Sequence, residues 1–195
     1  MEKETKMFCS LTNKEQVSKE TAALTFKDDM AVVVNTGDNK MLSEEMLEMF
    51  YIFGKAAHQP FPGFKKLVRA VLADNAKTYP LSFEPMQEGS TKGYFVTNKK
   101  PGGAVCILYP GFMQEAYEKM GGDFWILPES QDEVIILKDD GTFTTDRLKE
   151  MVGLANFLVA KQFGLYLSDT VLHCDGKHID TIDEWQIRKF GFTNM

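Results

Sequence analysis

Apolar positions along this chain fall into short blocks whose period changes from one block to the next. Met30-Ala31-Val32-Val33-Val34 is a continuous run rich in β-branched residues and reads as a strand, with turn chemistry behind it in Asn35-Thr36-Gly37-Asp38-Asn39. Ser43 followed by Glu44 and Glu45 offers a hydroxyl to free amides and acids to a helix dipole, so a helix is expected to about Ala57. Gln59-Pro60-Phe61-Pro62-Gly63 then breaks the chain, because proline removes a donor and restricts its neighbour. From Phe64 to about Lys77 the period is helical, with Phe64, Leu67, Val68, Val71 and Leu72 on one face. Tyr79 to Met86, carrying Pro80 and Pro85, reads as an extended connector. Residues 1–28 are polar, with apolar positions scattered at Leu11, Val17 and Leu24; a short helix or a loosely held arm is expected there, ahead of a single domain over 29–195.

The second half is more regular. Tyr94 to Thr97 and Ala104 to Tyr109 suggest a hairpin around Asn98-Lys99-Lys100-Pro101-Gly102-Gly103. Phe112, Met113, Ala116, Tyr117 and Met120 mark a short amphipathic helix closed by Gly121-Gly122. Phe124 to Leu127 and Val134 to Leu137 form a second hairpin, and their unbroken apolar runs imply central strands covered on both faces. Thr144 or Thr145 caps a helix to about Val159, with Leu148, Met151, Val152, Ala155, Leu158 and Val159 as its buried stripe. A third hairpin, Val171 to Cys174 and Lys177 to Ile182, turns at Asp175-Gly176. In Glu184 to Phe192, Trp185 and Ile187 alternate with polar residues, as do Phe190 and Phe192, which predicts a docked strand with a bulge. The order ββ-α-ββ-α-ββ, behind a more helical N-terminal part, predicts an α+β fold with a largely antiparallel sheet.

Charge removes some functions. The net charge is −6 and no basic cluster exceeds pairs such as Lys65-Lys66 and Lys99-Lys100, so a nucleic-acid partner is not expected. Cys9, Cys106 and Cys174 are an odd number at wide spacings, which makes neither a disulfide framework nor a zinc pattern. Free thiols, a polar N-terminus without a signal-peptide core and no membrane-length apolar run point to the cytoplasm.

Several blocks occur together in an order that resembles a family of uncharacterised bacterial proteins, known only as a domain of unknown function. They are Ala73-Asp74-Asn75-Ala76-Lys77 with Pro80 and Pro85-Met86, Tyr94-Phe95-Val96-Thr97-Asn98, and Gly103-Ala104-Val105-Cys106-Ile107-Leu108-Tyr109-Pro110. Gly122-Asp123-Phe124-Trp125-Ile126-Leu127-Pro128, Glu133-Val134-Ile135-Ile136-Leu137 and Leu167-Ser168-Asp169-Thr170-Val171 continue the series, so the resemblance covers about residues 70–183. It implies an α+β architecture and a bacterial origin, and no activity. Similar members usually read Ser-Ser-Ile-His-Glu-Val after the Leu-Pro, where this chain has Glu129-Ser130-Gln131-Asp132-Glu133-Val134. A histidine-dependent chemistry of that family would therefore be missing here.

Candidate chemistry is sparse. Asp132 and Glu133 are adjacent, so on a strand they point to opposite faces, whereas Glu129 and Asp132 could converge across their loop to bind a hard cation or act as acid and base. Lys138-Asp139-Asp140-Gly141-Thr142 lacks the spacing of a calcium loop, and Gly102-Gly103 lacks the ending of a phosphate loop. His58 stands alone beside Pro60. With Asp175-Gly176 as a two-residue turn, His173 would face His178 at a Cβ separation of roughly 5 Å, with Asp180 on the same face. Two histidines still leave zinc short of ligands, so neither a metal nor a cofactor is expected.

The balance is against an enzyme. A non-enzymatic protein-binding or accessory domain is expected, engaging a protein partner or a second copy through loop 59–64 or the C-terminal segment. The alternative is a hydrolase or metal-dependent enzyme using the acidic loop 129–133 or the histidine hairpin 173–180.

Overall fold

The computed structural model describes residues 7–36, 41–43, 45–47, 63–86, 91–160 and 163–191. Two antiparallel sheets organise it. β1 (Met7–Asn13), β2 (Ala23–Lys27) and β3 (Met30–Thr36) form a three-stranded sheet in the order β1-β3-β2. The polar stretch expected as an arm thus supplies two strands. Cys9 and Leu11 are buried beside Val32 and Val34 of β3, so alternate apolar positions in a polar sequence were enough to make a half-buried strand. The helix expected from Ser43 lies mostly outside the described residues, but its cap is present: Ser43 Oγ accepts the Met46 amide. The proline loop 59–62 also lies outside them.

α1 (Phe64–Thr78) buries Leu67, Val68, Val71 and Leu72, the face read from the sequence. The second sheet follows, in the order β4-β5-β7-β6-β8-β9, from β4 (Ser82–Pro85), β5 (Gly93–Thr97), β6 (Phe124–Pro128), β7 (Val134–Lys138), β8 (Leu172–Cys174) and β9 (Ile179–Thr181). All its pairings are antiparallel. The first predicted hairpin is corrected here. Gly103–Leu108 is a 3-10 helix, and β5 pairs with β4, the expected connector, and with β7. Gly103 to Ile107 are buried without alternation, which a packed helical turn permits as readily as a strand. The β6–β7 hairpin is as predicted, with Trp125 opposite Leu137 and Ile126 opposite Ile136.

Period-two alternation gives the central strands two buried faces. Phe124, Ile126, Val134, Ile136, Leu172 and Cys174 join the main core with the three-stranded sheet, α1, the 3-10 helix and α2 (Phe112–Met120). Trp125, Leu127, Leu137 and Val171 join a second core under α3 (Thr145–Ala155) and α4 (Ile182–Phe190). The result is α+β, with the six-stranded sheet sandwiched between unlike layers. Thr144 caps α3 by accepting the Arg147 amide. A π-helical turn, Asn156–Ala160, follows α3. The C-terminal segment forms helix α4 and not a bulged strand, and it docks only in part: Ile182 is buried and Trp185 half-buried, whereas Ile187 and Phe190 are exposed and Phe192 lies outside the described residues. Thr181 and Glu184 form a reciprocal capping box, and this local bonding of two free amides wins over the alternation. Among the described residues, no helix is long and apolar enough to cross a membrane.

Candidate functional site

Loop 129–133 is a junction tied down from several directions. The buried Ser130 hydroxyl accepts the amides of Asp132 and Glu133, closing the turn. Asp132 Oδ1 accepts the Gly102 amide at 2.7 Å, and the Asp132 carbonyl accepts the Thr97 hydroxyl at 2.7 Å. The Gln131 amide reaches the Leu165 carbonyl, and the Gln131 carbonyl accepts the Ala104 amide. Gly103 passes so close that a Cβ would sit 2.5 Å from the Asp132 carbonyl oxygen, so only glycine fits. Burial, then the carboxylates of Glu129, Glu84 and Asp132, push the Glu133 carboxyl above its ordinary range. Asp132 is spent on turn geometry, and among the described residues no ion pair involves Glu129, Asp132 or Glu133.

The histidine hairpin has a different register from the one expected. Cys174 pairs with Ile179 and His173 with Asp180, so Asp175 to His178 make a four-residue loop. Asp175 selects it by accepting the Lys177 and His178 amides, an Asx-type turn that a two-residue hairpin has no room for. His178 is therefore exposed and bonds to Asp175, while Asp180 pairs with Arg188 at 2.6 Å. His173 and His178 do not face each other.

His173 goes elsewhere. It is 1% exposed, and its Nε2 lies 3.1 Å from Asp139 Oδ2. Strand alternation explains the meeting. Asp123 lies two residues before Trp125 and Asp139 two after Leu137, and the Asp139 amide donates to the Asp123 carbonyl, extending the β6–β7 ladder by one pair. His173 pairs with Trp125 from the neighbouring strand, so all three polar residues share the second-core face. One ligand atom from each of Asp123, Asp139 and His173 lies within 4.8 Å of the others. Trp125 and Trp185 wall the ring in, at centroid distances of 4.7 and 5.1 Å. Burial pushes the His173 ring below its ordinary pKa, against the opposing pull of Asp139 and Asp123. Sequence reasoning placed His173 in a candidate site but missed Asp123, Asp139 and both tryptophans. The signal was the two-residue offset from the strand tryptophan and leucine.

A second feature lies on α3. Leu148 and Val152 point into the core, and the buried Asn156 donates to the Ser168 carbonyl and Asp169 Oδ1. Leu154, Phe157 and Leu158 face outward instead, 59%, 71% and 51% exposed, and Phe163 beyond them is 70% exposed. Leu158, expected in the buried stripe, is displaced because the π-helical turn adds residues per turn and rotates the chain after Ala155. A cavity of about 480 Å³ lies elsewhere, beside Tyr79, Leu81, Asn98 and Lys100, and touches none of the loop or hairpin residues.

The resemblance seen in the ordered blocks can now be given its extent: a profile of a family of unknown function matches residues 27–174. The chain belongs to DUF5688. The match takes in β3, the whole central sheet as far as β8, and α3, but not α4, so in this DUF5688 protein Trp185 approaches the site from outside the matched region. No curated protein and no solved structure matches the chain.

Proposed function

We propose that this DUF5688 protein is a non-enzymatic protein-binding or accessory domain of the bacterial cytoplasm, docking through the outer face of α3 and its π-helical turn. The observation that carries the reading is the outward apolar ridge of Leu154, Phe157 and Leu158, with Phe163 also exposed five residues on. Spacings of three and four residues align the first three along one face. Single exposed apolar residues are ordinary, but three large ones together on one helical face are of the kind found at protein interfaces. Burying each is worth roughly 1.5–3 kcal/mol, enough for the centre of an interface. π-helical turns are also frequent at functional sites. Three free, buried cysteines fit a reducing compartment, with burial raising the Cys9 thiol to about 12 and that of Cys174 to about 11.

The test is the size of the assembly in its native extract. A tagged wild-type chain should elute well above its 22.1 kDa mass, whether with another protein or as a homodimer, and a Phe157→Ser, Leu158→Ser chain should elute as a monomer. Identical elution of the two chains would contradict the reading.

A further inference from the structure

We propose that Asp123, Asp139 and His173 form a site for one hydrated first-row divalent cation, on β8 and at the adjoining ends of β6 and β7, apart from the apolar ridge. Asp123 precedes β6, Asp139 follows β7 and His173 is the central residue of β8, yet one ligand atom of each lies within 4.8 Å of the others, the separation a single ion can bridge. The ring of His173 is 1% exposed and packs against both Trp125 and Trp185, which also touch each other, with Nε2 3.1 Å from Asp139 and no hydrogen-bond partner at Nδ1.

The charges around the cluster point the same way. Among the described residues, no lysine or arginine forms an ion pair with Asp123 or Asp139. Lys138, between them along the ladder, directs its ammonium to the Met120 and Gly121 carbonyls at 3.3 and 3.0 Å. Lys189 sits 4.5 Å above the Trp185 ring. Two carboxylates thus lie beside the His173 ring with no lysine or arginine paired to either among the described residues. A divalent ion supplies the missing positive charge.

Two carboxylate oxygens and one imidazole nitrogen suit manganese, iron(II) or zinc, with water completing the shell at the open Asp123 side. When a metal takes the Nε2 lone pair, the single ring proton resides on Nδ1. There it has no hydrogen-bond acceptor, the partner that usually strengthens a histidine ligand. The site is therefore expected to exchange its ion freely, unlike a structural zinc centre.

Both tryptophans of the chain flank His173, so their fluorescence reports directly on the site. Titrating the full chain with Mn²⁺ should quench it saturably, with one ion per chain by calorimetry. Asp123→Asn and Asp139→Asn should each raise the half-saturating concentration by about tenfold or more, the scale on which even outer contacts to a metal act. His178→Ala, in the neighbouring loop, should leave the curve unchanged. Among the described residues no side-chain hydrogen bond or ion pair involves Asp123, so Asp123→Asn should melt as the metal-free wild type does and decides the matter alone if Asp139→Asn fails to fold. Absence of saturable binding at millimolar Mn²⁺, or binding that Asp123→Asn leaves intact, would overturn the proposal.

Discussion

Asp132 shows how far a single side chain can be read before its neighbours are known. Its composition and place mark it as a solvated turn residue, for which truncation costs little. In the fold, Gly102 arrives from a distant segment and donates its amide to that carboxylate. Asp132→Ala is therefore expected to cost about 1 kcal/mol by urea denaturation, the net worth of one such bond, while Glu129→Ala stays within about 0.5 kcal/mol. Equal effects of the two would contradict the assignment of Asp132 as the anchor of the loop. His173 makes the complementary case. Its identity and strand were legible, but its partner depended on the hairpin register, and a change from a two-residue to a four-residue loop replaced His178 with Asp180 opposite it. Asp139 is an ordinary turn residue in sequence, and only the pairing of three strands brings it to the ring.

Among the elements, α4 carries the clearest lesson. Thr181-Ile182-Asp183-Glu184 is a capping box that could be read directly, and the alternation of Trp185 and Ile187 obscured it. By contrast α1, α2, α3 and the β6–β7 hairpin were legible because each has a long run of one period and a marked end. The strand β4 was not, since Pro85 and a polar face suit an edge as well as a connector. Trp185 is half-buried against Trp125 and His173, so Trp185→Ala should destabilise by about 2 kcal/mol, below the range for a fully buried tryptophan. Glu184 also joins α4 to β2 through Lys27 at 2.6 Å. Burial opposes its ionisation, but the Lys27 ammonium and the Thr181 amide outweigh that and hold the carboxyl below its ordinary value. A depressed carboxylate contributes stability above its unfolded pKa of about 4.3, and the contribution fades as pH falls through the folded value. The side chain is half exposed, so solvent screening limits the charge contribution: Glu184→Gln should cost less than about 1 kcal/mol at neutral pH. The difference should vanish in acid, once the pH lies below the depressed value of Glu184, in thermal melts of the two proteins. A gap that persists in acid would mean that the charge is not its source.

Across the whole molecule, the six-stranded sheet buries both faces, and α3 lies over one of them with apolar residues on both of its own sides. The inner side was predicted from a helical stripe. The outer ridge was not, because a π-helical turn leaves no mark in hydrophobic periodicity and shifts every later residue around the axis. Since the ridge is exposed, Phe157→Ser and Leu158→Ser together should leave the melting temperature within a few degrees of wild type, a change of about 1 kcal/mol at most. A collapse of stability would place these residues in a core instead. The proposed binding role is tested most directly by photo-crosslinking in the native cell, with a photoreactive side chain placed at Phe157 and, in a second strain, at the exposed Lys149 of the same helix. A discrete protein adduct from position 157 and none from 149 is the predicted result; no adduct from either, or the same adducts from both, would contradict it.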